Sequence, residues 1–301
     1  MRKTFKSICR MSQKTLKRYT AEQLMKTHEN VEVGDGYVFA QGEFPVLLVA
    51  HLDTMHKHLP RQILDKNGKL SSSNGIGGDD RCGVFMILEI IKTHKCSVLF
   101  CEEEEIGGIG ATKFTETELA KSLISKFNYI IEFDRKGDKD AVFYNCDNED
   151  FEKFITKDFY KTAWGSFSDI SVVAPFLKTA AVNLSCGYYK AHTNGEYVVW
   201  KEMLNSIDEA TKILDRTTED DKFEYIECEY NDYWNYSAWG NYDYYSREDK
   251  YYIVEYVRID GQRDYYETYA NTKAEAVGKF CMEYYDVPYM NVTDVYSLGY
   301  M

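Results

Sequence analysis

Short, continuously apolar runs recur along the first two thirds of the chain, each followed by a polar stretch. They are Val46-Leu47-Leu48-Val49-Ala50, Ser97-Val98-Leu99-Phe100-Cys101, Tyr129-Ile130-Ile131-Glu132-Phe133 and Ala180-Ala181-Val182-Asn183-Leu184. Apolarity without alternation is the pattern of a strand covered on both faces. Between the runs, 81–94, 111–125 and 196–216 carry apolar positions at helical spacing. The alternation predicts a three-layer α/β/α sandwich with a mostly parallel mixed sheet.

A different pattern takes over after 217–221. The stretches 251–259 and 263–269 flank Asp260-Gly261, a two-residue hairpin signal. Thr272-Lys273-Ala274-Glu275 is a capping box, and Val277, Phe280, Cys281 and Tyr284 give the helix it opens one apolar face. The run 292–298 reads as a returning strand, so the C-terminal part is expected to be a small α+β module of β-β-α-(β) type. The segment 229–249, rich in Asn, Asp, Tyr and Trp, reads as an irregular connection.

Composition sharpens this division. Of the 26 tyrosines, 18 lie in 219–301, where 18 Asp and Glu face 7 Lys and Arg. The first 30 residues are basic, with 8 Lys and Arg against 2 acidic residues, and are expected to be helical. We therefore expect a larger domain over 1–218 and an acidic accessory module over 219–301. A chain of 301 residues buries a sizeable core, and a net charge of −13 argues against nucleic acid as partner. No apolar run is long enough to span a membrane, and the basic start has no apolar stretch behind it as a secretory signal would. The eight cysteines form no Cys-x-x-Cys pair, so reduced thiols in a cytoplasmic protein are expected.

The chemistry gathers just past the strands, where ligand sites of open α/β sheets lie. The run 46–50 leads into His51-Leu52-Asp53, and 97–101 into Glu102-Glu103-Glu104-Glu105-Ile106-Gly107. The run 129–133 leads into Asp134, and 180–184 is followed by Ala191-His192-Thr193. Gly78-Asp79-Asp80-Arg81-Cys82-Gly83 opens a predicted helix. Each piece alone has a structural explanation, such as a helix cap for Asp-Asp; five together, four after strands and one at a helix start, do not. Within the glutamate run, three adjacent pairs are open choices.

Together these motifs resemble those of the cocatalytic two-zinc exopeptidases, the clan of peptidase T, carboxypeptidase G, the tetrahedral aminopeptidases and the bacterial leucyl aminopeptidases. The resemblance covers about 30–215. It implies that His51 and Asp134 bind one metal, Glu105 and His192 the other, and that Asp79 bridges both. It further implies Glu104 as general base, since Glu104-Glu105-Ile106-Gly107 matches the clan's Glu-Glu-x-Gly, and Asp53 as the catalytic residue holding the imidazole of His51. A cis peptide between Asp79 and Asp80 follows too. The donor set suits Zn2+, with Co2+ or Mn2+ as substitutes, because it mixes nitrogen and oxygen without thiolate. Asp53, two residues beyond His51 on an extended strand, points to the same side.

The implied activity is hydrolysis of amide bonds, most readily as an aminopeptidase or di/tripeptidase acting on short peptides. An aspartate at 134 is what aminopeptidases of the clan tend to carry. The alternative is deacylation of an N-acyl amino acid at the same site, and a third reading is a protein-binding module with a non-catalytic metal. The intervals between His51 and Asp79, 28 positions, and between Asp134 and His192, 58, are too short for the lid or dimerisation domain many relatives insert. Any oligomer would therefore form by another route, and the C-terminal module fits a lid built on Trp234, Trp239 or a tyrosine, an oligomer contact, a docking surface for another protein, or simply a small aromatic core covering the sheet edge. His56 and His58 read as exposed loop histidines, and Cys82 as packing against the sheet. Gly165-Ser166-Phe167-Ser168-Asp169 either lines the pocket or caps a helix through Ser168 or Asp169.

Overall fold

All four apolar runs form adjacent parallel strands at the middle of one eight-stranded sheet. This computed structural model describes residues 1–228, 250–257, 263–270, 280 and 292–297. The chain divides into two units, Met1–Tyr230 and Asn231–Met301. The first begins with helices α1 (Arg2–Ile8) and α2 (Gln13–Leu24) and strands β1 (Asn30–Gly34), β2 (Tyr37–Gln41) and β3 (Phe44–His51). Next come β4 (Leu64–Lys66), β5 (Lys69–Ser71), α3 (Gly78–Ile90), β6 (Cys96–Cys101), α4 (Ile109–Thr115) and α5 (Glu118–Ser122). Then follow β7 (Tyr129–Arg135), β8 (Asp140–Val142), α6 (Glu149–Thr156), β9 (Lys161–Thr162) and α7 (Ile170–Leu177). The unit closes with β10 (Ala181–Ser185), β11 (Tyr188–Tyr189), β12 (Tyr197–Val199) and α8 (Trp200–Asp215).

The main sheet has the order β1-β2-β6-β3-β7-β10-β8-β9. Its core strands are buried on both faces, as their unbroken apolarity requires. Val46, Leu48 and Ala50 of β3 pack with α1, α2, α3 and α8, whereas Leu47 and Val49 pack with α4, α5 and α7. The result is a three-layer sandwich. Because β6, β3, β7 and β10 run parallel, their C-terminal ends share one edge of the sheet.

Several boundaries differ from the sequence reading. The helix expected over 111–125 is two, with Thr117 accepting a hydrogen bond from the Ala120 N–H to start the second. The helix expected from Glu196 starts at Trp200, since Tyr197–Val199 is a strand held between β5 and β11 in a second sheet of four strands. Residues 219–228, placed with the C-terminal module by composition, pack with the first unit: Glu224 and Glu227 bridge Thr179 and Cys146. Seven cysteines are described, none in a disulfide, and Cys82 is buried in the core. Among the described residues no helix is long and apolar enough to cross a membrane.

In the second unit β13 (Lys250–Val257) pairs antiparallel with β14 (Arg263–Ala270) on one side and with β15 (Val292–Ser297) on the other. The expected hairpin strands and returning strand are therefore present. The Asp260-Gly261 turn, the helix opened by Thr272, the connection 229–249 and its tryptophans lie outside the described residues. Phe280 is described, and its ring lies 4.6 Å from that of Tyr256.

Candidate metal centre

The shared edge of the sheet brings the strand-end residues together. His51 ends β3, Asp134 is the second-last residue of β7, and Asp79 opens α3 through a cis peptide to Asp80. Glu104 and Glu105 form a 3-10 turn after β6, and His192, with a left-handed backbone, sits in the loop between β11 and β12.

The two oxygens of Asp79 face opposite histidines. Oδ1 lies 3.0 Å from Nε2 of His51, and Oδ2 lies 3.0 Å from Nε2 of His192. Nε2 of His51 is also 3.3 Å from Asp134 Oδ1, and Nε2 of His192 is 2.9 Å from Glu105 Oε2. Two groups of three donors thus share one carboxylate. Four donors bound to a zinc ion at about 2.0–2.1 Å are about 3.3 Å apart, so the spacings fit such an ion. Glu105 Oε1 is buried without a partner, as an oxygen directed at a cation would be. The two groups lie close together: ligand atoms of His51, Asp79 and Glu105, and of His51, Asp80 and Asp134, lie within 4.8 Å of one another. Asp80 is the weaker donor, because its oxygens already accept from the N–H groups of His51 and Gly83.

Asp53 ties the halves of the site together. Its Oδ1 lies 3.3 Å from Nδ1 of His51 and accepts from the Glu104 N–H at 3.1 Å, while Oδ2 accepts from the Glu105 N–H at 3.1 Å. One carboxylate therefore orients the imidazole and the glutamate turn at once. The guanidinium of Arg81, fully buried, donates to the carbonyls of Leu52 and Asp53 and holds the chain as it leaves β3. Glu102 points away, to Lys17 of α2 at 2.6 Å, whereas Glu105 reaches His192.

Electrostatics reflect this crowding of acids. Burial disfavours a charge on His51, yet Asp134, Asp53 and Asp79 outweigh it and hold its pKa well above the usual imidazole value. His192, hydrogen-bonded to Asp79 and Glu105, is raised to about 10. Burial, with Asp79 next, pushes Asp134 up to about 7. Asp79 is driven below the ordinary carboxyl range despite burial, by its bonds to His192 and His51. Glu104 is raised well above the usual value by burial, with the Asp134, Asp169 and Asp79 charges adding to it.

Behind Asp134 lies a polar layer of which sequence reasoning singled out Ser168 and Asp169 and missed Glu132, Asn183 and Tyr188. Ser168 Oγ donates to Asp134 Oδ2, the Asp134 N–H donates to Asn183 Oδ1, and Tyr188 donates to the Asp134 carbonyl. Glu132 and Asp169 are fully buried beside it, and burial raises both, Asp169 to about 7. Neither Ser168 nor Asp169 caps α7 with its side chain; Ser166 and Phe167 line a cavity of about 210 Å³ with Tyr144 and Ile170. His58 is exposed as expected, but His56 is not: its side chain is 9% exposed and lies 2.7 Å from the buried carboxylate of Glu196. Glu132 and Asn183 of this layer are polar positions within apolar runs, a signal the sequence does carry.

No family model matches the sequence, and no curated protein matches it. Solved structures do match in fold. The aminopeptidase PepT from Bacillus cereus ATCC 10987 aligns over 71% of this chain and 96% of its own, with TM-score 0.58 and 12% identity. A tripeptidase from Staphylococcus aureus subsp. aureus Mu50 aligns over 70% of this chain and 96% of its own, with TM-score 0.54 and 13% identity. The TET aminopeptidase from a marine sediment Thaumarchaeota archaeon aligns over 72% and 97%, with TM-score 0.55 and 12% identity. The chain has the α/β sandwich fold of these peptidases, the fold the alternation of apolar runs and helices led us to expect.

Proposed function

We propose that this chain is a two-metal hydrolase of amide bonds that removes residues from the N-terminus of short peptides. The observation that carries the reading is the Asp79 carboxylate, with one oxygen 3.0 Å from His51 Nε2 and the other 3.0 Å from His192 Nε2. A carboxylate used only for hydrogen bonding has no need of two histidines, each backed by a further acid.

His51 and Asp134 would hold one divalent ion, Glu105 and His192 the other, with Asp79 shared. Two neutral imidazoles and three carboxylates leave one net positive charge on two divalent ions, and such a pair makes water acidic and polarises the scissile carbonyl. Zinc suits the donors, with cobalt or manganese as substitutes. Glu104, held by its N–H to Asp53 in the same turn as Glu105, takes the proton from the attacking water and returns it to the leaving amine. Asp53 keeps the imidazole of His51 turned so that Nε2 faces Asp79.

Assays on aminoacyl-anilide and N-acyl amino acid substrates, with zinc, cobalt or manganese supplied, test the proposal. Cleavage of the anilides supports an aminopeptidase. Cleavage of N-acyl substrates alone would replace it with a deacylase at the same site, and cleavage of neither would refute the hydrolase.

A further inference from the structure

Glu196 is fully buried, and its carboxylate reaches into two loops besides its own. Oε2 accepts from the Gly77 N–H at 2.6 Å and lies 2.7 Å from Nε2 of His56, while Oε1 accepts from the Asp79 N–H at 3.1 Å. Gly77 to Asp79 is the backbone that enters α3, His56 belongs to the loop after His51, and Glu196 closes the loop that carries His192. The same two loops meet again where the Gly75 N–H donates to the Asn194 carbonyl at 3.2 Å. The ring of His56 rests on Gly75: a Cβ there would fall 2.0 Å from Cε1, so any side chain would push the ring off Glu196.

None of Glu196, His56 and Gly75 is a donor of the candidate centre. They nonetheless decide where its shared donor stands, because only χ1 and χ2 separate the pinned amide of Asp79 from its carboxylate. We propose that Glu196 is the positioning residue of the Asp79 carboxylate, and that His56 is the group that keeps Glu196 in place. Glu196 fixes the Asp79 backbone so that the two carboxylate oxygens stand equally close to His51 and His192. It also sets the loop of one histidine against the loop that delivers the shared ligand. The inference rests on the two-ion reading of the cluster.

The test is a calorimetric titration of the chelator-stripped full chain with zinc, for the wild type, Glu196→Gln, His56→Ala and His56→Gln, with Tm followed in parallel. The wild type should take two equivalents. Glu196→Gln has one acceptor oxygen for two N–H groups and an imidazole, so its second equivalent should weaken about tenfold or more. Its kcat on an aminoacyl-anilide should fall while KM stays nearly constant. His56→Gln retains a donor toward Glu196 and should keep both affinities, whereas His56→Ala should weaken the second. If Glu196→Gln does not fold, the His56 pair carries the comparison. Wild-type affinity for both equivalents in Glu196→Gln, or equal behaviour of His56→Ala and His56→Gln, would overturn the proposal. Absence of zinc binding by the wild type would overturn the two-ion reading, and this inference with it.

Discussion

Replacing Asp53 with alanine removes one carboxylate and strands three groups: Nδ1 of His51 and the N–H groups of Glu104 and Glu105, at 3.3, 3.1 and 3.1 Å. A hydrogen bond to a charged acceptor contributes about 1.5–3 kcal/mol, and a buried donor left unpaired adds its desolvation cost. The three bonds share one acceptor and are not independent, so the expected loss is about 3–5 kcal/mol rather than their sum. For a unit of this size 1 kcal/mol moves Tm by about 2–4 °C, which predicts a fall of about 6–20 °C. Zinc affinity should drop about 10- to 100-fold, since both the imidazole and the Glu105 turn lose their anchor. Asp53→Asn keeps one acceptor oxygen but turns an amide donor toward a backbone N–H, so it should fall between. The Asp53 pKa is lowered because its bond and charge interaction with His51 outweigh the opposing effect of burial. Its stabilisation is therefore present above the unfolded carboxyl range and is lost as pH falls through the folded value, so the wild-type advantage should shrink below about pH 4. Calorimetric melting and zinc titration decide. A Tm for Asp53→Ala within about 2 °C of wild type, with zinc affinity unchanged, would refute the reasoning.

Further outcomes follow from the same geometry. Asp79→Ala should bind neither ion, measured as metal content after dialysis, because both groups of donors lose their shared member. Glu104→Gln should keep both ions and lose turnover by at least about a hundredfold, the scale of a general base; retained turnover would move that role elsewhere. Chelator-treated protein should lose stability as pH rises from about 6 to 8.5, and zinc should restore more at the higher value. The signs agree there: the ion-paired His51 and His192, both raised, lose their stabilisation above the unfolded imidazole value, His192 up to about 10. Asp134 and Asp169, raised to about 7, oppose folding increasingly between the unfolded carboxyl value and that pH. A Tm that rises across this range would contradict the assignment. Truncation after Tyr230 should leave a cooperatively melting unit with unchanged zinc stoichiometry, because every donor lies in Met1–Tyr230.

The layers were legible because burial on both faces leaves a mark on the residues themselves. Val46 through Ala50 are apolar without a gap, and each lies in one of the two cores. The donors were legible for a related reason: acids and histidines directly after such runs have no solvation motive. What was not legible depends on pairs distant in sequence. Glu196 and His56 are 140 positions apart and meet only because β12 folds the His192 loop onto the entry of α3. The strand Tyr197–Val199 itself was absorbed into the following helix, since its apolar residues continue into Trp200 without a break. Helix α7 was legible only as one of two readings of 165–169, a helix opening at Ser168 or Asp169, and Pro175 interrupts the segment that follows. Asp169, buried at its start, had the look of a cap and does not cap.

The central claim is that Asp79 stands between two ions, and anomalous diffraction at the zinc edge from zinc-loaded crystals tests it most directly. Two peaks are predicted, about 3.5–4 Å apart, one against His51 and Asp134 and the other against Glu105 and His192, with Asp79 reaching both. A single peak, or peaks that leave Asp79 without a metal contact, would contradict it.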